Sequence, residues 1–366
     1  MDTESKFTGI EIETHTSPVS DADRARALEA PGFGKVFTDH MVLGRWTPDK
    51  GWHDLKVTPR RPLSIDPASA VLHYAQEVFE GMKAYRAADG RILLFRPEEN
   101  ARRFAQSAER MAMPPLPDDL FVKAVEELVR VDSAWVPSGD GSLYIRPFMF
   151  AVEAFLGVRP AQDYLFCVIA SPVGAYFKGG SKAVTVWVET GYTRAASGGT
   201  GAAKCGGNYA ASLVAQALAS QHDCDQVVFL DAAEHRWIEE LGGMNVFFVM
   251  NDGTMVTPPL GGTILPGITR ASVIALAESK GLRVDQRPYS FQEWQADAAS
   301  GKMREAFACG TAAVLAGIGK VRHGSGEFLI GDGQTGALTT ELRNELVSIQ
   351  QGASNDQHGW VHAVRT

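Results

Sequence analysis

Only four of the 366 residues are cysteine, and Cys167, Cys205, Cys224 and Cys309 lie far apart with no Cys-x-x-Cys pair among them. That spacing excludes a cysteine-based zinc motif, and in a long chain it argues for reduced thiols rather than a disulfide framework. The nine histidines include no His-Glu-x-x-His and no ligand cluster, so no metal site is expected. Positive charge is in deficit: 35 Lys and Arg against 43 Asp and Glu give −8, which argues against nonspecific nucleic-acid binding and against an anionic membrane surface. No run approaches the ~18–20 apolar residues of a membrane span. Met1-Asp-Thr-Glu-Ser-Lys6 lacks a basic region followed by an apolar stretch, so no signal peptide is expected, and the expected location is the cytoplasm. Internal repeats and low-complexity segments are absent as well.

What remains is an ordinary globular composition, 45% hydrophobic and 21% charged. A chain of this length outgrows a single core, so two domains are expected: 1–170, a linker at 171–182 marked by Ser171-Pro172-Val173-Gly174 and Gly179-Gly180-Ser181, and 183–366. Residues 1–30 read as a polar, loosely held lead-in. Ile92–Phe95 reads as a buried strand. A helix follows, with Pro97 at its start, Glu98 and Glu99 in its first turn, and an apolar stripe of Ala101, Phe104, Ala108 and Met111. Residues 118–132 form a second amphipathic helix, with Phe121, Val122, Val125, Leu128 and Val129 inward, and 143–151 and 164–170 read as strands. The second half opens with a strand at 183–188, then a helix of about 208–220, strands at 226–230 and 245–250, and a helix at 268–281. Regular βαβ alternation is missing, as is a Gly-x-Gly-x-x-Gly between strand and helix, so the class is α/β of the mixed α+β kind and not a Rossmann fold.

Chemistry concentrates in a few segments. Gly198-Gly-Thr-Gly-Ala-Ala-Lys-Cys-Gly-Gly-Asn-Tyr209 sets Lys204 among five glycines. An ammonium in such a loop can bind phosphate, form a Schiff base, or serve only structure. The P-loop spacing is not met, because the glycines precede Lys204 by five and six positions and Cys205 replaces Ser or Thr. Leu265-Pro-Gly-Ile-Thr-Arg270 opens a helix, as a plain start or as an anion site. Arg103 sits at the edge of the 97–112 stripe, where a solvated charge is the common outcome. Glu239-Glu240 precedes an apolar strand, either solvated or buried where one carboxylate keeps a cationic ring nitrogen protonated. Phe307-Ala-Cys-Gly-Thr-Ala-Ala313 offers amides and a hydroxyl to an anion, or a close packing contact. Together these are parts suited to pyridoxal phosphate.

In these segments the chain resembles the branched-chain-amino-acid aminotransferases, class IV aminotransferases of the fold-type IV group of pyridoxal-phosphate enzymes, in the longer form of actinobacteria and eukaryotes. The resemblance runs from Phe33-Gly-Lys-Val-Phe-Thr-Asp-His-Met41 to Ile349-Gln-Gln-Gly352 and His358-Gly-Trp360. Between them it passes through Tyr74–Met82, Ser142–Pro147, Pro172–Phe177, Lys204–Tyr209, Glu240–Asn245, Leu265–Thr269 and Gly310–Ala312.

The resemblance implies a two-domain fold of the D-amino-acid-aminotransferase-like type, with a smaller N-terminal α/β domain and a larger C-terminal pseudo-barrel domain. It implies that Lys204 carries the cofactor as a Schiff base and shuttles the proton, that Glu240 pairs with the pyridine nitrogen, and that Tyr209 bonds the phenolic oxygen. Arg103, Ile268, Thr269 and Thr311 match phosphate positions. Tyr74 and the amides of Thr311 and Ala312 match the substrate-carboxylate site, and Phe37, Phe79, Tyr144 and Tyr176 the apolar pocket. Arg146 matches the arginine associated with glutamate's second carboxylate. The implied reaction is reversible, ping-pong transfer between leucine, isoleucine or valine and 2-oxoglutarate, with pyridoxamine phosphate as the alternate cofactor form. The implied assembly is a homodimer in which Leu156 and Val158 reach the partner's pocket. The chain departs from the pattern at Ala154-Phe155, where proline and a small residue are expected, and at Phe229, where tryptophan is common. Ala313 and Gly317 occupy the region of the mammalian-type Cys-x-x-Cys, so no thiol switch carries over. A D-amino-acid aminotransferase or aminodeoxychorismate lyase would share Lys204 and Glu240, and a silent binding protein would share the fold. Substrate stereochemistry and visible absorbance separate these readings.

Overall fold

Two stretches of alternating and continuous apolar residues build two mixed sheets, one in each of two compact units. The structure is a computed structural model and describes residues 9–174 and 182–365. One unit takes Met1–Ala175, Ala203–Gly206 and Ile349–Thr366; the other takes Tyr176–Ala202 and Gly207–Ser348. The four residues around Lys204 and the C-terminal tail therefore group with the N-terminal unit, an arrangement that a linear division at 171–182 cannot express.

In the first unit the strands run in the order Glu11–Ile12, Gly51–Pro59, His40–Thr47, Tyr164–Val173, Ser142–Ala151, Met82–Arg86, Ile92–Phe95 and Val361–Ala363, with Glu77–Phe79 also paired to Ser142–Ala151. Pairing is antiparallel apart from Glu11–Ile12. Helices Pro97–Arg110 and Asp118–Val131 pack on each other and on this sheet. The core between helices and sheet is aromatic: Phe104, Phe121 and Phe166 lie with ring centroids 5.2–6.2 Å apart, all fully buried. Each such ring contributes about 1.5–3 kcal/mol by leaving water.

Two expectations need correction here. Residues 1–30 contain the helix Asp21–Glu29, whose Ser20 side chain accepts from the Asp23 amide at 3.2 Å. The helix buries no residue, so no apolar period marks it in the sequence; its cap and its Arg24–Asp21 and Arg26–Asp23 pairs are the only signals. The break expected at Ser171-Pro172-Val173 is the end of a strand. Pro172 pairs with Leu143 on one side and lies past Val168, the last partner of His40–Thr47 on the other, so its missing N–H breaks no ladder bond there.

The second unit's sheet runs Ile238–Leu241, Gln226–Leu230, Val184–Glu189, Val314–His323, Met303–Gly310, Asn245–Met250, Met255–Thr257 and Val284–Gln286, with Gly326–Leu329 hairpinned to Val314–His323. Val184–Glu189 is parallel to both its neighbours, while the central pairs are antiparallel. Phe248, Tyr289 and Trp294 anchor its core. Among the described residues no helix is long and apolar enough to cross a membrane.

Candidate active site

Glycines surround Lys204, but tertiary hydrogen bonds set its place. Ala203 and Cys205 are buried in the first unit's core at 3% and 1% exposure, while Lys204 between them is half-buried. The Lys204 amide donates to Ser107 Oγ at 2.9 Å, and its carbonyl accepts from the Phe79 amide at 3.0 Å. The Gly206 amide donates to Glu77, and a Cβ at Gly206 would lie 2.3 Å from that carboxylate and would force it to shift. Burial pushes the Glu77 carboxyl up, against the Gly206 N–H and the Arg146 charge. Lys204 Nζ lies 4.9 Å from the centroid of the Phe79 ring.

A second cation uses the same ring. The Arg146 guanidinium lies 4.7 Å from the Phe79 centroid and 5.4 Å from that of Tyr144, and its Nη2 donates to the Tyr144 hydroxyl at 3.1 Å. Tyr144 and Arg146 alternate along Ser142–Ala151 and so share a face of the sheet. Arg146 Nε is buried and has no hydrogen-bond partner among the described residues. Gly81 leaves room for Tyr144, whose hydroxyl would meet a Cβ there at 2.2 Å. Phe37 and Tyr74 make other contacts: Arg60 lies 5.1 Å from the Phe37 ring, and the Tyr74 hydroxyl donates to the Leu156 carbonyl at 2.5 Å. Tyr176 lies outside the described residues.

Arg103 is buried, not solvated, at 7% exposure. Its Nε and Nη2 donate to the two oxygens of Glu80 at 2.7 and 2.8 Å. Glu80 also accepts from Asn100 Nδ2 at 2.7 Å and from the Gly81 amide at 3.1 Å. Burial alone would push the Glu80 carboxyl up, but Arg103, with Lys204 and Asn100 behind it, holds it below the usual carboxylate range.

The second unit places Glu240 on Ile238–Leu241 at 3% exposure, paired with Arg194 at 2.5 Å. Glu240 Oε1 accepts from the Leu265 amide at 2.9 Å and Oε2 from Asn245 Nδ2 at 3.3 Å, while the same Asn245 nitrogen donates to the Leu265 carbonyl at 3.0 Å. The segment leading into helix Ile268–Ser279 is thus tied to the carboxylate. That helix starts after Gly267 with no side-chain cap, which leaves its first amides, those of Ile268 and Thr269 included, to other acceptors. Tyr209 stands on helix Gly206–Gln221 beside Gly243. Thr311 and Ala312 form the turn between Met303–Gly310 and Val314–His323. Val314 closes that turn at φ 62°, a strained conformation for a β-branched residue, held by its pairing with Gly310. The adjacent Glu239 differs from Glu240: burial pushes its carboxyl up, and its Oε2 has no hydrogen-bond partner among the described residues.

Sequence reasoning did not single out Glu77, Glu80, Ser107, Arg194 or Asn245. Glu80 carried one readable signal, a charge inside the apolar run Val78–Tyr85; Arg194 and Ser107 carried none. The first unit offers an amine on a clamped backbone, a buried guanidinium and the orphaned Arg146 donor, and the second a buried carboxylate and an uncapped helix start; each is of a kind that suits part of pyridoxal phosphate.

The class to which the chain belongs is that of the amino-group-transferring enzymes. The family described as amino-transferase class IV matches residues 77–321, and the chain belongs to it. It is 55% identical over 350 residues to a branched-chain-amino-acid aminotransferase of Mycobacterium tuberculosis, covering 94% of this chain and 95% of the relative. The structure of the branched-chain amino acid aminotransferase of Escherichia coli superposes with a TM-score of 0.75 at 26% identity, over 89% of this chain and 99% of that one. The enzyme of the same name from Thermobaculum terrenum, in its PLP-bound holo-form, gives a TM-score of 0.71 at 26% identity, over 89% of this chain and 98% of that one.

Proposed function

We propose that this enzyme is a cytoplasmic, pyridoxal-phosphate-dependent branched-chain-amino-acid aminotransferase that exchanges the amino group of L-leucine, L-isoleucine or L-valine with 2-oxoglutarate. The observation that carries the reading is the pair of cations at one aromatic ring, Lys204 and Arg146 at Phe79. Phe79 and Tyr144, both beside Arg146, suit a branched side chain, with Phe37 as a further member of the proposed pocket, and Arg146 suits the distal carboxylate of glutamate.

When bound, the cofactor supplies an electron sink for the charge that develops at the substrate α-carbon. The chain's own groups do the rest. Arg103, the Ile268 and Thr269 amides and Thr311 would hold the phosphate. Tyr209 would donate to the phenolic oxygen, and Glu240 would keep a proton on the ring nitrogen. Tyr74 and the amides of Thr311 and Ala312 would hold the α-carboxylate. The ε-amine of Lys204 would take the proton from the substrate α-carbon and deliver it to the cofactor carbon that receives the amino group, a transfer whose speed depends on the amine being held in place.

The test is a set of single-turnover half-reactions with L- and D-amino acids. Conversion of L-leucine, L-isoleucine, L-valine and L-glutamate is expected; a preference for D-enantiomers, pyruvate release or no conversion would overturn the reading. Within that assay, Arg146→Met should slow the glutamate half-reaction roughly tenfold to a few hundredfold more than the leucine one, the worth of a charged hydrogen bond. Equal losses would make Arg146 structural.

The assembly we propose is a homodimer. Leu72, Leu156 and Val158 are exposed at 59%, 67% and 88%, beside the Tyr74–Leu156 hydrogen bond, and such an apolar group suits cover by a second copy. Light scattering should give a dimer mass, and an active monomer at assay concentration would contradict it.

A further inference from the structure

We propose that Glu80 is a positioning residue for the phosphate anchor: it fixes the plane of the Arg103 guanidinium and thereby the affinity for the cofactor's phosphate. The inference rests on the reading of Arg103 as a phosphate ligand. Nε and Nη2 form one edge of the planar guanidinium, and both are bound to the two oxygens of Glu80. A bidentate contact of this kind sets the direction of every other donor on the group, which a lysine at the same place could not offer. Glu80 is itself held, with no exposed surface, by Asn100 and by the Gly81 amide.

Stability alone gives no reason to keep such a pair. Buried ion pairs are often no better than apolar residues of the same volume, so their retention points to geometry. The helix Pro97–Arg110 supplies that geometry. Asn100, Arg103 and Ser107, all buried, follow one another at intervals of three and four residues and so share a face. The first two grip Glu80, and the third receives the amide of Lys204. One helix face therefore fixes the guanidinium and the lysine backbone together, so their separation does not depend on loop conformation.

The experiment uses the full-length chain stripped of cofactor, titrated by absorbance with pyridoxal 5'-phosphate and, separately, with pyridoxal. Both carry the aldehyde and only one carries phosphate, so the ratio of the two affinities reports the phosphate contacts. Glu80→Gln should lower that ratio at least about tenfold, as loss of a charge-assisted contact would, with pyridoxal affinity within about threefold of the parent. Asn100→Ala should lower it in the same direction by less, and decides the matter alone where Glu80→Gln does not fold. Arg103→Ala should collapse the ratio, and adding Glu80→Gln to it should change nothing further. An unchanged ratio in both Glu80→Gln and Asn100→Ala, or equal weakening of both ligands, would make Glu80 merely structural. An unchanged ratio in Arg103→Ala would instead overturn the phosphate reading of Arg103, and this inference with it.

Discussion

Lys204→Ala should abolish turnover while leaving a folded protein that still takes up pyridoxal phosphate. Its backbone is held by Ser107, Phe79 and Glu77 through the amides and carbonyl of residues 204 and 206, none of which the substitution removes. Ala203 and Cys205 keep the segment in the core. On the proposed role of Lys204, what is lost is the amine that moves the proton, a group worth about 10²–10⁴-fold in rate by itself and more when it also holds the cofactor in place. The purified parent should be yellow, and borohydride reduction followed by peptide mapping should leave the phosphopyridoxyl mass on the peptide containing Lys204. An adduct on another lysine, or an alanine variant turning over near the parent rate, would sink the assignment.

Glu240→Gln should lower turnover by ~10²-fold or more while weakening cofactor binding far less, because a preorganised charge acting on the reacting system is removed and its shape is kept. A second effect follows from the ion pair. Arg194 is 6% exposed and faces Glu240 at 2.5 Å, and it also donates to the neutral carbonyls of Gly201 and Thr263. Neutralising Glu240 removes the carboxylate that Arg194 touches directly, and the variant should lose on the order of 3 kcal/mol of stability. Turnover per folded, cofactor-loaded molecule separates the two effects. Glu239→Gln is the control: its carboxyl is already pushed up by burial, so an amide there should cost little. A crippled Glu239→Gln beside a near-normal Glu240→Gln would show that the neighbouring carboxylate serves the ring.

Local pattern accounts for much of what was legible. The strands Ile92–Phe95, Gln226–Leu230 and Asn245–Met250 coincide with their apolar runs, and the helix Pro97–Arg110 begins at the proline that announces it. Each of these elements buries a face whose period is written in adjacent residues. Helix Asp21–Glu29 is not legible because it fully buries no residue, with only Ala27 and Leu28 partly packed on the core, and the end of Tyr164–Val173 is not legible because Pro172 is harmless only where the neighbouring strand has already stopped.

By itself the sequence determined the family, whose motifs are short and contiguous, and it singled out Lys204, Glu240 and the helix start at Ile268 as candidates for the roles proposed above. Tertiary structure alone decided that the four residues at Lys204 join the N-terminal unit and that Arg103 is buried on Glu80. It alone decided too that Lys204 and Arg146 meet at one ring and that Arg194 pairs with Glu240. The reason is physical. A buried charge is stable only with a partner, and Arg103 and Glu80 stand 23 residues apart; the backbone amide of Lys204 and Ser107 stand 97 apart, so nothing local in the chain records either contact.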